Sequence, residues 1–169
     1  SDGGINKSMS DSLSKAKKMI KDGANFIDIG GESTRPGADV VMPKDEIIRV
    51  MPTIQQFNYN EIDMSLDTRN SSTMELGILS GVKIINDVSA LNHDENSINV
   101  IKKNKVPIVL MHMPGNPKTM MTKIREYNNV LLDVYDFLEK KIKELVVLGI
   151  KKENIIVDPG IGFGKNLDQ

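Results

Sequence analysis

Carboxylate and amide side chains stand at four places where an apolar run of this chain gives out: Asp28-Ile-Gly-Gly-Glu-Ser-Thr-Arg-Pro-Gly37, Asp67, Asn86-Asp87 and Asp158-Pro159-Gly160. In a chain that alternates strand and helix, the C-terminal ends of the strands are where ligand chemistry is placed. An ionised carboxylate accepts hydrogen bonds and opposes positive charge, while an amide both donates and accepts. Each position also has a simpler reading. Asp67 suits the cap of a following helix, and Asn86-Asp87 suits a turn whose side chains bond to backbone, which is the preferred role for Asp87. Recurrence at four strand ends argues for a site. Gly160, Gly162 and Gly164 suggest a phosphate cradle, although their spacing is not the dinucleotide fingerprint. His112 has no partner carboxylate at a telling spacing and reads as a structural hydrogen-bonding group. Lys118 receives no role.

Composition narrows the class of molecule. The chain has 169 residues, 39% hydrophobic and 27% charged, enough for one domain with a substantial core and too apolar for disorder. Net charge is -1 and the lysines are spread along the expected helices, so neither a nucleic-acid nor a membrane surface is indicated. There is no cysteine, which removes disulfides, thiolate metal sites and cysteine nucleophiles and fits a cytoplasmic protein. His93 and His112 do not make a zinc site unaided. No apolar run approaches the ~20 residues of a membrane span. The chain opens on Ser1 rather than Met, and a single domain truncated at both ends is expected.

Periodicity sets out the elements that must position those side chains. Ser10 to Lys21 places Leu13, Ala16, Met19 and Ile20 on one helical face, with Ser10 as N-cap and Gly23 as stop. Strand Phe26 to Ile29 follows. A helix from Pro43 buries Ile47, Val50, Met51 and Ile54, with an irregularity expected at Pro52. Next come strand Met64 to Leu66, a helix capped by Ser71 or Ser72 that carries Met74, Ile78 and Leu79, and strand Val82 to Ile85. A short helix covers Ile98 to Lys103, and Val106 to Met111 reads as a fully buried strand. The longest helix, Asn128 to Leu148, aligns Leu131, Val134, Leu138, Ile142 and Leu145, and Ile155 to Val157 is the last strand.

Connections of this length require crossovers, so the sheet should be parallel. A doubly wound sheet and a (β/α)8 TIM barrel share this repeating unit. Polar residues at every strand end favour the barrel, which gathers all its strand ends around one mouth, whereas a doubly wound sheet uses a switch point. A complete barrel takes ~250 residues. The expectation is therefore an incomplete α/β barrel carrying its second to sixth strands.

Six segments carry a resemblance. Ser1-Asp-Gly-Gly4, Asp28 to Ala38, Ser65-Leu-Asp-Thr68, Ile85-Asn-Asp-Val-Ser-Ala90, Leu110-Met-His-Met-Pro-Gly-Asn-Pro-Lys-Thr-Met120 and Asp158-Pro-Gly-Ile-Gly-Phe-Gly-Lys165 resemble dihydropteroate synthases in order and spacing. The resemblance implies a transferase of folate biosynthesis. It would join 4-aminobenzoate to a dihydropterin diphosphate and release diphosphate. It implies that Asp67, Asn86, Val88, Met111 and Asp158 hold the pterin. It also implies that Thr34, Arg35, Pro36 and Phe163 serve 4-aminobenzoate, and that Asp2 belongs to a first mobile loop. Asp67, Asp158 and Arg35 would act in catalysis. A pterin edge offers N–H donors beside a carbonyl, which a carboxylate and an amide match. Magnesium is implied, with its asparagine ligand outside this sequence and no metal ligand within it. A parent homodimer is likewise implied. The alternatives are a methyltetrahydrofolate-binding methyltransferase barrel and an inactive pterin-binding fragment.

Overall fold

The structure is a computed structural model that describes residues 9–35, 37–115 and 127–166. In chain order the elements are α1 (Met9–Lys21), β1 (Ile27–Gly30), α2 (Pro43–Tyr59), β2 (Met64–Asp67), α3 (Ser71–Leu79), β3 (Ile84–Asp87), α4 (Ser97–Asn104), β4 (Ile108–Met111), α5 (Val130–Val147) and β5 (Ile155–Asp158). The five strands pair in the order β1-β2-β3-β4-β5 and every pairing is parallel. A doubly wound sheet reverses its order at a switch point and carries helices on both faces. Here the order never reverses.

Alternation along each strand separates the two faces. Ile27, Ile29, Met64, Leu66, Ile85, Ile108 and Leu110 point one way and form one buried cluster with Val50, Ile54 and Phe57 of α2, Met74 of α3, Val100 and Ile101 of α4 and Leu145 of α5. The opposite face carries Asp28 and Gly30, Ser65 and Asp67, Asn86, Met111 and Asp158. Of these only Met111 is buried. Helices on one face and polar residues on the other are the inside-outside arrangement of a (β/α) barrel, here with five consecutive strands.

Several local expectations shift. The β3 and β4 ladders begin two residues later than the apolar runs, at Ile84 and Ile108, because Val82 and Val106 are buried in the connections that lead into them. Helix α2 runs through Pro52 without a break. Pro52 and Ile48, whose carbonyl loses its i+4 donor, are both exposed, so water can satisfy it. Ser10 lies inside α1, which begins at Met9. Asn70 is the N-cap of α3 but makes no side-chain cap bond; Asp94 Oδ2 accepts from the Ser71 N–H at 2.8 Å instead. On α3, Leu79 is 74% exposed. On α5 the buried stripe is Val134, Leu138, Lys141 and Leu145, while Leu131 is 75% exposed. Lys141 is tolerated there because its Nζ donates to Asn92 Oδ1 at 2.8 Å and Glu144 Oε1 at 3.2 Å.

Candidate functional site

The polar residues of the open face are brought together by register alone. Gly30 lies opposite Asp67, Asp67 opposite Asn86, and Met111 opposite Asp158. One step lower, Asp28 lies opposite Ser65. Ser65 Oγ donates to Asp28 Oδ1 at 2.5 Å and Asn86 Nδ2 donates to Asp28 Oδ2 at 3.3 Å. Asp28 therefore bridges three strands and fixes which way the Asn86 amide faces. A Cβ at Gly30 would stand 3.4 Å from Asp67 Cβ and 3.6 Å from Asp67 Oδ2, in ordinary contact with the neighbouring carboxylate.

Negative charge is concentrated at this point. Burial, then the charges of Asp28, Asp87 and Glu46, push the Asp67 carboxyl up to about 7. Asp87 faces the helix side and is fully buried. Its Oδ1 accepts from the Ser89 N–H at 2.7 Å and the Ser89 hydroxyl at 2.6 Å, and its Oδ2 from the Leu91 N–H at 3.0 Å. That is the turn role preferred for it from sequence. Burial still holds its carboxyl above the ordinary value, against those three hydrogen bonds.

Beneath the site lies Glu46 of α2, completely buried. Its Oε2 accepts from Thr68 Oγ1 at 2.8 Å, Asn70 Nδ2 at 2.9 Å and Thr73 Oγ1 at 2.6 Å, tying α2 to the connection that leaves Asp67. In front of it, Glu32 accepts from Arg69 Nε and Nη2, both at 2.8 Å, and from the Val41 N–H at 3.0 Å. Burial would raise the Glu32 carboxyl, but the Arg69 and Val41 hydrogen bonds and the Arg69 charge prevail and hold it below its ordinary value.

Asp158 stands on the same face of β5, two residues beyond Ile156, which is in line with Asn86 through Val109. Its Oδ1 accepts from the Gly160 N–H at 2.7 Å, and its main-chain oxygen accepts from the His112 N–H at 3.0 Å. A Cβ at Gly160 would meet the His112 carbonyl oxygen at 2.1 Å, and its φ is +69°, so space and backbone both require glycine. Lys165 Nζ braces the following loop through the carbonyl oxygens of Gly160 at 3.0 Å and Phe163 at 3.2 Å, and lies 3.0 Å from His112 Nδ1. His112 is buried edge-on against Phe137, with ring centroids 5.0 Å apart, in keeping with a structural role. The three glycines of this segment serve a tight loop, all at positive φ.

Of the residues singled out in the sequence, Asp67, Asn86, Met111 and Asp158 share the open face. Val88 is buried in the turn directly after β3. Thr34 and Arg35 lie in the connection between β1 and α2, half-buried and exposed respectively, and Phe163 is half-buried in the loop after β5. Asp2, Pro36 and Lys118 lie outside the described residues. In the sequence, Asp28, Glu32, Ser65 and Lys165 figure only within longer segments, without a role of their own, and Arg69 and Glu46 not at all. For Asp28 and Ser65 the signal was present, because each stands two residues before a strand end and so shares its face. Glu46 and Lys165 gave none, since an acid in a helix's first turn and a lysine after a glycine-rich loop are common on surfaces.

Comparison with known proteins fits this geometry. The pterin-binding enzyme family matches residues 1–169. Dihydropteroate synthase of Bacillus subtilis (strain 168) is 42% identical over 166 residues, covering 98% of this chain and 55% of that protein. The Escherichia coli (strain K12) dihydropteroate synthase is 39% identical over 168 residues, covering 99% and 59%. The Yersinia pestis dihydropteroate synthase, solved as a sulfonamide drug complex, superposes with a TM-score of 0.93 at 36% identity and covers 99% of this chain and 61% of its own. The Burkholderia cenocepacia enzyme complexed with 7,8-dihydropteroate gives 0.84 at 36% identity, with 94% and 56% covered. The chain thus spans between 55% and 61% of the length of these relatives. A match along the whole sequence, on a barrel whose strand ends converge as described, makes this chain a member of the pterin-binding enzyme family.

Proposed function

We propose that these residues form the pterin-binding part of a dihydropteroate synthase, which joins 4-aminobenzoate to (7,8-dihydropterin-6-yl)methyl diphosphate. The observation that carries the reading is the convergence of Asp28, Ser65, Asp67 and Asn86 on one open sheet face, with Asp158 on the same face two residues further along. Asp158 and Asn86 would take the N–H donors and the carbonyl of the aminopyrimidinone edge, with Met111 and Val88 supplying apolar contact with the ring. Hydrogen bonds to a charged partner contribute about 1.5–3 kcal/mol each.

In the reaction, the amine nitrogen of 4-aminobenzoate forms a bond to the methylene carbon, the carbon–oxygen bond to diphosphate breaks, and the amine gives up a proton. As diphosphate leaves, positive charge develops on the methylene and ring. Fixed carboxylates oppose that charge without reorganising. Asp67 suits this role because burial and the neighbouring acids make its negative charge costly, and a cation beside it would relieve that cost. The acceptor amine is already a nucleophile, so positioning and charge suffice. Thr34, Arg35 and Pro36 would contact 4-aminobenzoate, with Phe163 forming a wall, and Arg35 would help hold anionic groups.

Magnesium belongs to the proposal only as a partner of the diphosphate. Among the described residues no three His, Cys, Asp or Glu side chains converge on a metal position, and no step is assigned to it. No helix among the described residues is long and apolar enough to cross a membrane. A cytoplasmic homodimer acting on two small molecules is the setting the proposal implies. Release of diphosphate by the complete protein, dependent on both substrates, tests it. Methyl transfer from methyltetrahydrofolate to a corrinoid protein, without diphosphate release, would sink it.

A further inference from the structure

The connection from β1 to α2 is tied at both ends by one carboxylate. Glu32 stands at its start and the Val41 N–H near its end, and the hydrogen bond between them at 3.0 Å closes the nine-residue separation into a ring. The same carboxylate receives the guanidinium of Arg69 through two bonds of 2.8 Å, with both side chains only 10% accessible. A planar guanidinium held in this two-point geometry fixes orientation as well as distance. Arg69 follows Asp67 by two residues, so the ring is anchored to the strand end that carries the central carboxylate of the site.

The root of the connection is held from its other side too. Arg49 Nη1 donates to the Gly31 carbonyl at 3.0 Å, and Gly31 packs so closely on α2 that a Cβ would stand 2.8 Å from Glu46 Cγ and 2.9 Å from Val50 Cγ1. Beyond this root, Ser33 and Thr34 are half-buried and Arg35 is exposed. A rigid base under exposed polar residues is how a loop presents side chains to a ligand at a set position.

We propose that Glu32 and Arg69 act as a clasp that positions Thr34 and Arg35 for the second substrate. They are positioning residues: neither is assigned a contact with the reacting atoms. The part concerning 4-aminobenzoate rests on the synthase reading given above; the clasp itself rests only on the geometry. Losing the clasp should leave the pterin site formed by β2, β3 and β5 in place while the loop residues lose their fixed origin. Small misplacements of positioning groups cost up to about 10²-fold in rate.

The experiment compares wild type, Arg69→Met, Arg69→Lys and Glu32→Gln in the complete protein, with three readouts. Hydrogen exchange at the Val41 N–H reports the clasp directly. Calorimetric titration with a pterin reports the first site. Steady-state kinetics report KM for 4-aminobenzoate. In Arg69→Met we expect faster exchange at Val41, a pterin Kd within about 3-fold of wild type, and a KM for 4-aminobenzoate raised about 10- to 100-fold. Arg69→Lys, which keeps the charge but loses the two-point fit, should fall between. Glu32→Gln should resemble Arg69→Met in direction. Unchanged exchange at Val41, or equal losses for pterin and 4-aminobenzoate, would overturn the clasp. A wild type with slow Val41 exchange, accelerated in Arg69→Met, but with no synthase turnover would uphold the clasp and refute the synthase reading.

Discussion

Asp67 is the residue whose protonation decides how the site meets its ligand. Burial and the charges of Asp28, Asp87 and Glu46 raise its carboxyl to about 7 from an ordinary value near 3.8. The folded protein therefore holds this proton across a pH range in which the unfolded chain has lost it. The stability linked to that proton is present in full below pH 4 and disappears as pH rises through about 7. Asp67→Asn should accordingly flatten the fall in unfolding free energy between pH 4 and 7, measured by urea denaturation at each pH. Binding should run the other way. A ligand that donates N–H groups to Asp67 needs it ionised, so pterin affinity should increase from pH 6 to 8 in wild type. In Asp67→Asn it should be weaker and nearly independent of pH over that range. An affinity that falls with rising pH would mean that Asp67 binds as the neutral acid.

Glu46 shows what the elements contribute beneath the site. Its Oε2 satisfies two hydroxyls and an amide, so Glu46→Ala leaves three buried donors stranded and should cost roughly 3–5 kcal/mol by chemical denaturation. Glu46→Gln keeps an acceptor oxygen in place and should cost clearly less. On β5, Gly160→Ala forces a Cβ into the His112 carbonyl from a left-handed backbone. It should cost more than the ~1 kcal/mol of an ordinary unfavourable glycine replacement, and weaken pterin binding by displacing Asp158. A midpoint of unfolding within error of wild type would contradict that packing. These dependencies were only partly legible in the sequence. Ile-Asp-Ile-Gly and Met-Ser-Leu-Asp announce their two faces by alternation, and so place Asp28 and Asp67 together. Helix faces were harder to read, because exposed leucines such as Leu131 look like core, and a buried Lys141 is understood only with Asn92 opposite it.

At the scale of the molecule, five parallel strands in sequential order form part of a barrel whose edge strands, β1 and β5, each pair on one side only among the described residues. On β5, Ile156 and Val157 point to opposite faces and are 43% and 47% exposed. Unpaired edges and uncovered apolar faces promote association between chains. The 169 residues expressed alone should therefore self-associate, seen by sedimentation, and show negligible synthase activity. Turnover comparable to a complete synthase would contradict this. The barrel was legible because four of the five strands carry polar residues at their ends, which a single switch point does not require. The clasp between Glu32 and Arg69 was not, since the two residues lie 37 positions apart and nothing local to either predicts the pairing. A pterin site built from strand ends is tested most directly by calorimetric titration of the complete protein with a pterin. Saturable binding by wild type, weakened at least about 10-fold in a folded Asp158→Asn variant, is the predicted result. Equal binding by the two proteins, or none by folded wild type, would contradict it.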